Sequence, residues 1–479
     1  MIDHIGLLPV YLAAGTAVLV FLADLAVART SVTLAVGVLG AVGTAASAVA
    51  VRVQPPHRAF CVESGCSWVY DRPAQLLAVA VAVLTAAVLL LSAPTLRLGQ
   101  IPAGEYAFLL TASMTGGVAL AGARDMITLI VALETLTLPL YVLVGLRRTS
   151  AESAQAAVTF LLTSVAATAV TLLGAALMYA ASGEVHLSAL ASALDVSGPA
   201  RPLAGAGLLL VVVGLAFKVA AVPAHAWAPT TYDGAPLPIA AYLSTASKLG
   251  GLFAIVYVAV LGGVAWWGVL GPALGILAAA TLVVGTLVAL RQRRMVRLLA
   301  WSSVAQAGFM LAPLSALAVA RPSGLVGATL AYGLIYVTVE IAAFAGVIAL
   351  RPPGEDGGTL TDYAGLGRSA PWRSGAFAFA AIGLAGLPPA LAGLFAKVFV
   401  VRALVNAQAW VVVAAVALAA IAGLAVYLRA VVPLYRSDAD VPGWILSPVS
   451  PAVVVVLAVA TLLAIAAGFA PQLILDLTQ

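Results

Sequence analysis

Charge is what this sequence most lacks. Charged residues make up 9% of its 479 residues and hydrophobic residues 63%, whereas an average soluble domain has roughly 25% charged residues. So few charges cannot cover a water-exposed surface. This excludes the two or three soluble domains that the length alone would suggest, and most of the chain is predicted to lie in lipid.

Lysine is especially scarce, with three residues against 20 Arg. A GC-rich genome, which favours Arg codons, would explain the scarcity but not the positions. Arg lies mostly in short connectors between apolar segments. The three lysines, in contrast, lie inside or at the edge of apolar segments: Lys218, Lys248 and Lys397.

Several kinds of site have no motif in the sequence. No phosphate-binding loop, zinc motif or nucleophile arrangement is present, which argues against catalysis by this chain alone and against ATP-driven pumping. No basic patch with interleaved aromatics predicts nucleic-acid binding. The two cysteines, Cys61 and Cys66, have no His or acidic neighbours at metal spacing, so no metal site is expected. A bridge between them is possible, since their connector is predicted to lie outside the cell.

Long apolar runs are abundant, and they do not alternate as strands of a barrel would. Backbone groups in lipid must bond within their own segment, and a spanning helix needs about 20 residues. The sequence therefore predicts an all-α polytopic membrane protein with about fourteen spans: 5–27, 31–51, 74–95, 105–122, 126–146, 153–181, 203–227, 236–261, 267–290, 298–319, 324–350, 373–404, 409–433 and 449–470.

The orientation follows from the basic residues of the connectors. The first 30 residues lack a basic start and a cleavage pattern, so they are taken as the first span rather than a secretory signal. With alternating spans, thirteen of the 20 Arg fall on one side and seven on the other. The positive-inside rule then predicts that both termini lie outside.

Ionisable residues at membrane depth are costly and point to function. Glu134 lies in the middle of a span, and Pro139 removes the helical partner of the Thr135 carbonyl, which predicts a kink and a helix break there. A buried carboxylate beside a kink can bind water or a cation; the alternative is a glutamate that only packs against a neighbouring helix. The full set comprises Asp24, Glu134, Lys218, His225, Lys248, Glu340 and Lys397.

Lys218 precedes Pro223, which predicts an interrupted helix just past the lysine. Broken helices with polar residues at membrane depth usually line a watery cavity. Lysine suits such a place because it can lose its proton, whereas Arg stays charged; the alternative is a side chain that snorkels to the surface. His225 could relay protons beside the break or could be an ordinary helix-end histidine.

A second interrupted helix is predicted near Lys397. Pro388 and Pro389 free the carbonyls of Leu384 and Ala385. The two Lys-plus-Pro spans, seven and twelve, are five apart, so a repeated five-helix unit would be inverted, as in many transporters.

The remaining ionisable residues lie on other spans. Near Lys248, the hydroxyls of Ser244 and Ser247 could hold water. Glu340 could pair with Lys248 or Lys397, or face a partner subunit. These residues together indicate proton or cation translocation.

Five stretches resemble the antiporter-like membrane subunits of respiratory complex I, and they occur in the expected order. The resemblance covers about residues 105–430, and the Leu-Ser-Thr-Ala-Ser-Lys ending and the span count are most similar to the subunit N group. The stretches are 133–143, 217–229, 234–248, 297–308 and 384–397.

The resemblance implies fourteen helices with inverted five-helix units at spans 4–8 and 9–13, and two broken helices, spans 7 and 12. The corresponding divisions of the chain are 1–104, 105–261, 262–433 and 434–479. It also implies a bacterial plasma-membrane protein whose partners are other membrane-arm subunits and lipid.

The same resemblance implies roles for individual residues. Glu134 is the partner of Lys218, Lys248 is the central relay, and Lys397 belongs to the exit half-channel, with His225 between the first two lysines. Redox chemistry in other subunits, which would hold the quinone, FMN and iron–sulfur clusters, changes the Glu134–Lys218 contact and drives a proton onward. This chain would be a non-redox subunit of a proton-translocating NADH-quinone oxidoreductase, with no cofactor and no catalytic site of its own.

Three positions depart from the family pattern. Thr159 stands where subunit N commonly has a lysine, Gln306 where a histidine is frequent, and Glu340 where a neutral polar residue is usual. The chain could thus be a divergent paralogue with another electron donor. Two alternatives remain: a subunit of a multisubunit cation/proton antiporter or hydrogenase-linked complex, and a proton-inactive assembly subunit.

Overall fold

The computed structural model describes residues 2–147, 150–195, 198, 200–436 and 448–478. Arg148, one of the arginines behind the predicted orientation, lies outside the described residues. The helices are α1 (Leu8–Val27), α2 (Thr30–Ala50), α3 (Arg72–Leu96), α4 (Ala103–Ala121), α5 (Met126–Val144), α6 (Ala151–Ser182), α7 (Leu187–Ala193), α8 (Ala200–Lys218), α9 (Trp227–Gly234), α10 (Leu237–Tyr242), α11 (Lys248–Tyr257), α12 (Trp267–Ala289), α13 (Met295–Leu311), α14 (Pro322–Ala349), α15 (Leu366–Ser369), α16 (Pro371–Ala385), α17 (Leu391–Asn406), α18 (Trp410–Val431), α19 (Pro451–Phe469) and α20 (Pro471–Thr478).

Short segments of other helix types join some of these helices. Two are π-helical, Leu243–Ser247 and Val258–Gly262. Four are 3₁₀-helical: Val264–Trp266, Ala312–Ala316, Leu360–Tyr363 and Val432–Tyr435.

The predicted spans are present as helices. In the described part of the chain, twelve helical segments are long and apolar enough to cross a membrane. Of the two other predicted spans, one is α4, a helix of 19 residues, and the other is broken into α16 and α17. The helical membrane fold is therefore confirmed. The inverted relation between the two five-helix units stays a prediction.

Side-chain caps fix where several of these helices begin. Asp71 accepts a hydrogen bond from the Ala74 N–H (3.1 Å) at the start of α3, and Asp125 accepts one from the Thr128 N–H (2.8 Å) at the start of α5. Such caps satisfy backbone donors that the first turn of a helix leaves free. They fix the first turns of α3 and α5.

The centre of the molecule is formed by three segments. In Leu237–Gly262 and Met295–Ala316, 89% of the residues in the most apolar window are buried, and in Pro322–Leu350 the fraction is 83%. In α1, α6 and the α18 segment it is only 22%. A helix that is apolar all round and buried lies inside a bundle, so α10, α11, α13 and α14 lie inside and α1, α6 and α18 outside.

The connector between α2 and α3 departs from the all-α prediction. It forms an antiparallel hairpin of β1 (His57–Val62) and β2 (Gly65–Tyr70), in which Cys61 and Cys66 are register partners and are joined by a disulfide. The hairpin is held to the end of α4 by the Val69 N–H, which donates to the Gly122 carbonyl (2.8 Å). Each strand has six residues, too short for its alternation to stand out in an apolar sequence.

The disulfide can be tested by thiol labelling. An alkylating reagent added to the denatured, unreduced protein is expected to modify neither Cys61 nor Cys66, and to modify both after reduction. These are the chain's two cysteines, so no other thiol contributes. Labelling without reduction, measured by mass spectrometry on protein from intact cells, would place the hairpin in a reducing compartment and contradict the predicted outside location.

Pro139 does not break its helix, contrary to the sequence-based expectation: α5 runs without interruption from Met126 to Val144. Close packing against α4 accounts for this. A Cβ atom on Gly116 would lie 2.1 Å from the Leu136 backbone nitrogen, and Ser113 Oγ donates to the Leu136 carbonyl (2.6 Å). Contacts from a neighbouring helix and from serine hydroxyls are what allow proline within membrane helices.

Replacing Gly116 by alanine is therefore expected to destabilise the protein by about 1–3 kcal/mol, the usual cost of overpacking. The control is Gly43→Ala, also within a spanning helix, where the added Cβ meets no atom within 4 Å. The melting temperature in detergent should fall for Gly116→Ala and stay unchanged for the control. Equal melting temperatures would mean that the α4–α5 contact is looser than described.

The turn-rich connector after α14 is anchored by arginines. Arg294, just before α13, forms ion pairs with Asp233 (2.7 Å) near the end of α9 and with Asp356 (2.9 Å) in the connector. The three elements are joined through this one side chain. Partial burial acts to raise the pKa of Asp356, but hydrogen bonds from Arg294 and the Gly358 N–H outweigh it and hold that pKa below its ordinary value. The carboxylate thus stays charged at neutral pH.

Candidate functional site

The helix that carries Lys218 ends at that residue. Positions 219–226 are not helical, and α9 begins at Trp227. The Trp227 indole N–H donates to the Phe217 carbonyl (3.0 Å), which also accepts from the Ala220 N–H (2.9 Å), so the second half of the span is tied to the end of α8. The predicted break of span seven is confirmed. It begins at Val219, ahead of Pro223, and the second half of the span extends beyond the predicted end to residue 234.

Lys218 forms a buried ion pair with Glu134. Its Nζ lies 3.0 Å from Glu134 Oε1 and donates to the hydroxyls of Thr137 (3.1 Å) and Ser164 (3.3 Å). Thr168 Oγ1 donates to the same Glu134 oxygen (2.7 Å). Since Lys218 is 7% exposed, it does not snorkel to the surface. The first lysine is thus held by one carboxylate and two hydroxyls.

Lys248 follows the π-helical turn and opens α11. It is 1% exposed, and its Nζ donates to the carbonyl (2.6 Å) and the hydroxyl (2.5 Å) of Ser303 on α13. Ser244 Oγ donates instead to the Ala241 carbonyl (3.0 Å). Ser303 is a partner that the sequence did not indicate, because it lies 55 residues away along the chain.

The first two lysines are brought together by direct packing of their helices. A Cβ atom on Gly251 would lie 2.7 Å from Lys218 Cβ. Gly251 is three residues after Lys248, so it lies on the same face of α11, one turn along. The end of α8 therefore packs against the first turn of the helix that carries the central lysine.

Lys397 lies on the second broken helix. α16 ends at Ala385 and α17 begins at Leu391, which confirms the predicted break of span twelve. Lys397 Nζ donates to the carbonyls of Leu384 (3.1 Å) and Ala385. These are the carbonyls that Pro388 and Pro389 were expected to free. The third lysine, 8% exposed, thus occupies the acceptors that the break creates.

Gln306 connects the surroundings of the second and third lysines. It lies three residues after Ser303 on α13, and its Nε2 donates to the Leu384 carbonyl (3.3 Å), which Lys397 also binds. The same Nε2 donates to the Tyr427 hydroxyl (2.7 Å), and Oε1 accepts from the Tyr332 hydroxyl. α13 therefore contacts Lys248 through Ser303 and the Lys397 site through Gln306.

Two small cavities adjoin Gln306. One, of about 20 Å³, is also lined by Lys397, and the other, of about 10 Å³, is also lined by Tyr336. A water molecule needs roughly 10–15 Å³ and several polar partners. Each cavity is thus close to the size of a single water, and polar side chains line both.

The remaining predicted residues lie apart from these contacts. His225 Nδ1 contacts the Pro223 carbonyl (3.2 Å) and its ring lies beside Trp301, so it has no described contact with a lysine. Thr159 is half-buried on α6, where its carbonyl accepts from Thr163. Glu340 is fully buried on α14 and forms no ion pair with either lysine among the described residues. The roles implied for these residues stay predictions.

Comparison with known proteins shows the family of the chain. Residues 123–422 match the family described as NADH:quinone oxidoreductase/Mrp antiporter, transmembrane. NADH-quinone oxidoreductase subunit N of Salinispora tropica is 55% identical, over 99% of this chain and 98% of that protein. The chain belongs to the subunit N family. A second member, subunit N 2 of Streptomyces griseus, is 42% identical over 92% of this chain and 84% of its own length.

Solved structures show the same fold. A chain of respiratory complex I from Thermus thermophilus superposes with a TM-score of 0.81 at 29% identity, covering 98% of both chains. Chains of the Mrp complex of Dietzia (0.86, 20% identity, 100% and 96% covered) and of an archaeal membrane-bound sulfane sulfur reductase (0.87, 24%, 99% and 96%) share the fold alone. The subunit N family is thus built on the same antiporter-like membrane fold.

Proposed function

We propose that this subunit N moves protons across the membrane along Glu134, Lys218, Lys248 and Lys397, driven by quinone reduction elsewhere in the complex. The observation that carries the proposal is the burial of all three amines, each at a helix break or a π-helical turn. Buried ionisable groups at membrane depth are characteristic of proton relays. Each of these amines can hold a proton or give it up, which Arg could not do.

The proposed proton transfer begins at the Glu134–Lys218 pair. While the carboxylate lies 3.0 Å from Nζ, it favours the ammonium form of the lysine. Moving Glu134 away would leave a buried ammonium with only hydroxyl partners, which favours release of the proton. The proton would then pass across the α8–α11 contact to Lys248.

The second half of the path would run from Lys248 to Lys397. Ser303 binds Lys248 and lies one turn from Gln306, which shares the Leu384 carbonyl with Lys397. A hydroxyl can accept one proton and donate another, and water in the adjoining cavities could bridge the gaps. Lys397, on the second broken helix, would release the proton to the exit side.

The proposed setting is the membrane arm of an NADH-quinone oxidoreductase in the bacterial plasma membrane, with both termini outside. Large apolar side chains on the outer helices, such as Leu25, Ile276 and Val411, are 72–83% exposed, and lipid or neighbouring membrane-arm subunits would cover them. The quinone, FMN and iron–sulfur clusters would be held by other subunits. This chain would supply translocation without redox chemistry of its own.

A second candidate is a subunit of a multisubunit cation/proton antiporter or hydrogenase-linked complex. It is favoured by the fold shared with the Mrp and sulfane sulfur reductase chains. It is also favoured by Thr159, Gln306 and Glu340, which stand where the resemblance to subunit N implies a lysine, a histidine and a neutral polar residue. The identity to subunit N over nearly the whole chain favours the first candidate.

Purification of the intact complex separates the two candidates. A tagged chain should copurify with iron–sulfur and quinone-site subunits, identified by mass spectrometry, and the complex should reduce quinone with NADH. The complex reconstituted in vesicles should also acidify one side during quinone reduction. Copurification with only small antiporter subunits, or quinone reduction without proton movement, would overturn the proposal.

A further inference from the structure

Glu340 is a fully buried carboxylate that forms no ion pair within 4 Å among the described residues. Its relative exposure is 0%, and no described donor reaches either carboxylate oxygen. An ionised carboxyl group in such a place is strongly disfavoured unless it is paired or hydrogen-bonded. A carboxylic acid loses far less on burial, so a proton passed to Glu340 would be held there as the neutral acid.

The groups that face Glu340 come from three neighbouring elements. Lys248 on α11 and Tyr232 on α9 lie close enough to interact electrostatically with it, and Tyr427 on α18 does so as well. Tyr336, one turn earlier on α14, also lies close enough to interact with the carboxyl group. The cation of the set is Lys248, and Tyr232 also has a buried hydroxyl with no hydrogen-bond partner.

A short hydroxyl path joins Lys248 to the Glu340 side of α14. Lys248 Nζ donates to Ser303 Oγ (2.5 Å), and the Tyr336 hydroxyl donates to the same oxygen (2.8 Å). Beyond them lies the cavity of about 10 Å³, lined by Tyr336, Val339 and Gln306. Tyr336 and Val339 lie just before Glu340 on α14. Gln306, on the cavity wall, shares the Leu384 carbonyl with Lys397.

We propose that Glu340 is a proton-binding site between Lys248 and Lys397. In the transfer, the N–H bond of the Lys248 ammonium breaks, leaving a neutral amine, and an O–H bond forms on Glu340, which becomes a neutral acid. For this transfer the Tyr336 hydroxyl turns from Ser303 towards Glu340; Ser303 then takes the Lys248 proton and donates its own to Tyr336, which donates its own to Glu340. The ammonium–carboxylate and amine–acid states carry the same net charge, so a low-dielectric interior does not oppose the exchange.

The proposal rests on the proposed proton translocation, and it adds a carboxyl group to the three lysines of the path. Glu340→Gln keeps the size of the side chain and cannot bind the proton. Glu340→Asp keeps the carboxyl group and is expected to restore part of the function. Glu105→Gln, an exposed acidic residue in the first turn of α4, is the matched control.

The test is infrared difference spectroscopy of the intact complex during reduction and reoxidation, in H₂O and in D₂O. We expect a carbonyl-stretch signal of a protonated carboxyl group that shifts in D₂O, is lost in Glu340→Gln, and persists in the Glu105→Gln control. Protons moved per quinone reduced should fall in Glu340→Gln and recover partly in Glu340→Asp. A signal and a proton ratio that both stay at wild-type values in Glu340→Gln would overturn the proposal.

The lysine path and the Glu340 site can be refuted separately. If Lys218→Met stops proton movement while Glu340→Gln leaves both the ratio and the infrared signal unchanged, the lysine path stands and the Glu340 site is refuted. If Lys218→Met pumps as the wild type does, the proposed function itself fails. Native gels of each variant show whether the complex has assembled.

Discussion

Replacing Lys248 by methionine is expected to stop proton transfer through this subunit while the complex still assembles. Methionine keeps most of the length of the side chain but cannot bind a proton. A positioned acid–base side chain typically speeds proton transfer by about 10²–10⁴-fold, so its removal should slow this step by on the order of 10²-fold or more. Proton movement in vesicles and quinone reduction should be measured on the same preparation.

Lys248→Arg separates the loss of a charge from the loss of a transferable proton. Arg keeps the positive charge but does not give up its proton in proteins. If the lysine acts as a relay, the Arg variant should fail like the Met variant; if it supplies only a fixed charge, the Arg variant should function. Normal proton movement in Lys248→Met would exclude Lys248 from the path.

Breaking the Glu134–Lys218 pair on one side is expected to destabilise the subunit more than removing both partners. A single Glu134→Gln change leaves the Lys218 ammonium buried with only hydroxyl partners. Losing one member of a buried pair costs roughly 3–5 kcal/mol, whereas replacing both by neutral residues is often nearly neutral. Because the Glu134 side chain is 22% exposed, the cost should lie at or below the lower end of that range.

The double variant Glu134→Gln/Lys218→Met should therefore recover most of the stability that each single change loses. The measurement is the melting temperature of the assembled complex in detergent for the wild type, both single variants and the double variant. A control is Glu105→Gln, which should leave it unchanged. Additive losses in the double variant would show that the pair does not act as a unit.

Local sequence signals were sufficient to predict the two helix breaks. Proline removes a backbone donor, so Pro388 and Pro389 indicated both the place of the break and the two carbonyls that would be free. The structure has Lys397 bound to those same carbonyls. The ion pair of Lys218 with Glu134, 84 residues away, was implied only by the family resemblance, since no local pattern connects the two.

The neutral partners of the central lysine could not be predicted in this way. Ser303 binds Lys248, and Gln306 shares the Leu384 carbonyl with Lys397. The pattern of an all-round apolar helix does not say which face of α13 meets which neighbour. Of the serines chosen from sequence spacing, Ser244 donates to the Ala241 carbonyl, and the water expected near Ser244 and Ser247 stays a prediction. Packing also overrode a local signal at Pro139, where α4 keeps α5 continuous.

The most direct test of the lysine path is the number of protons moved per quinone reduced by the complex that carries Glu134→Gln/Lys218→Met. This variant is expected to assemble and to melt near the wild-type temperature, so a loss of function would not reflect unfolding. We predict that its proton ratio falls below that of the wild type measured in the same vesicles. An unchanged proton ratio in the assembled double variant would contradict the account.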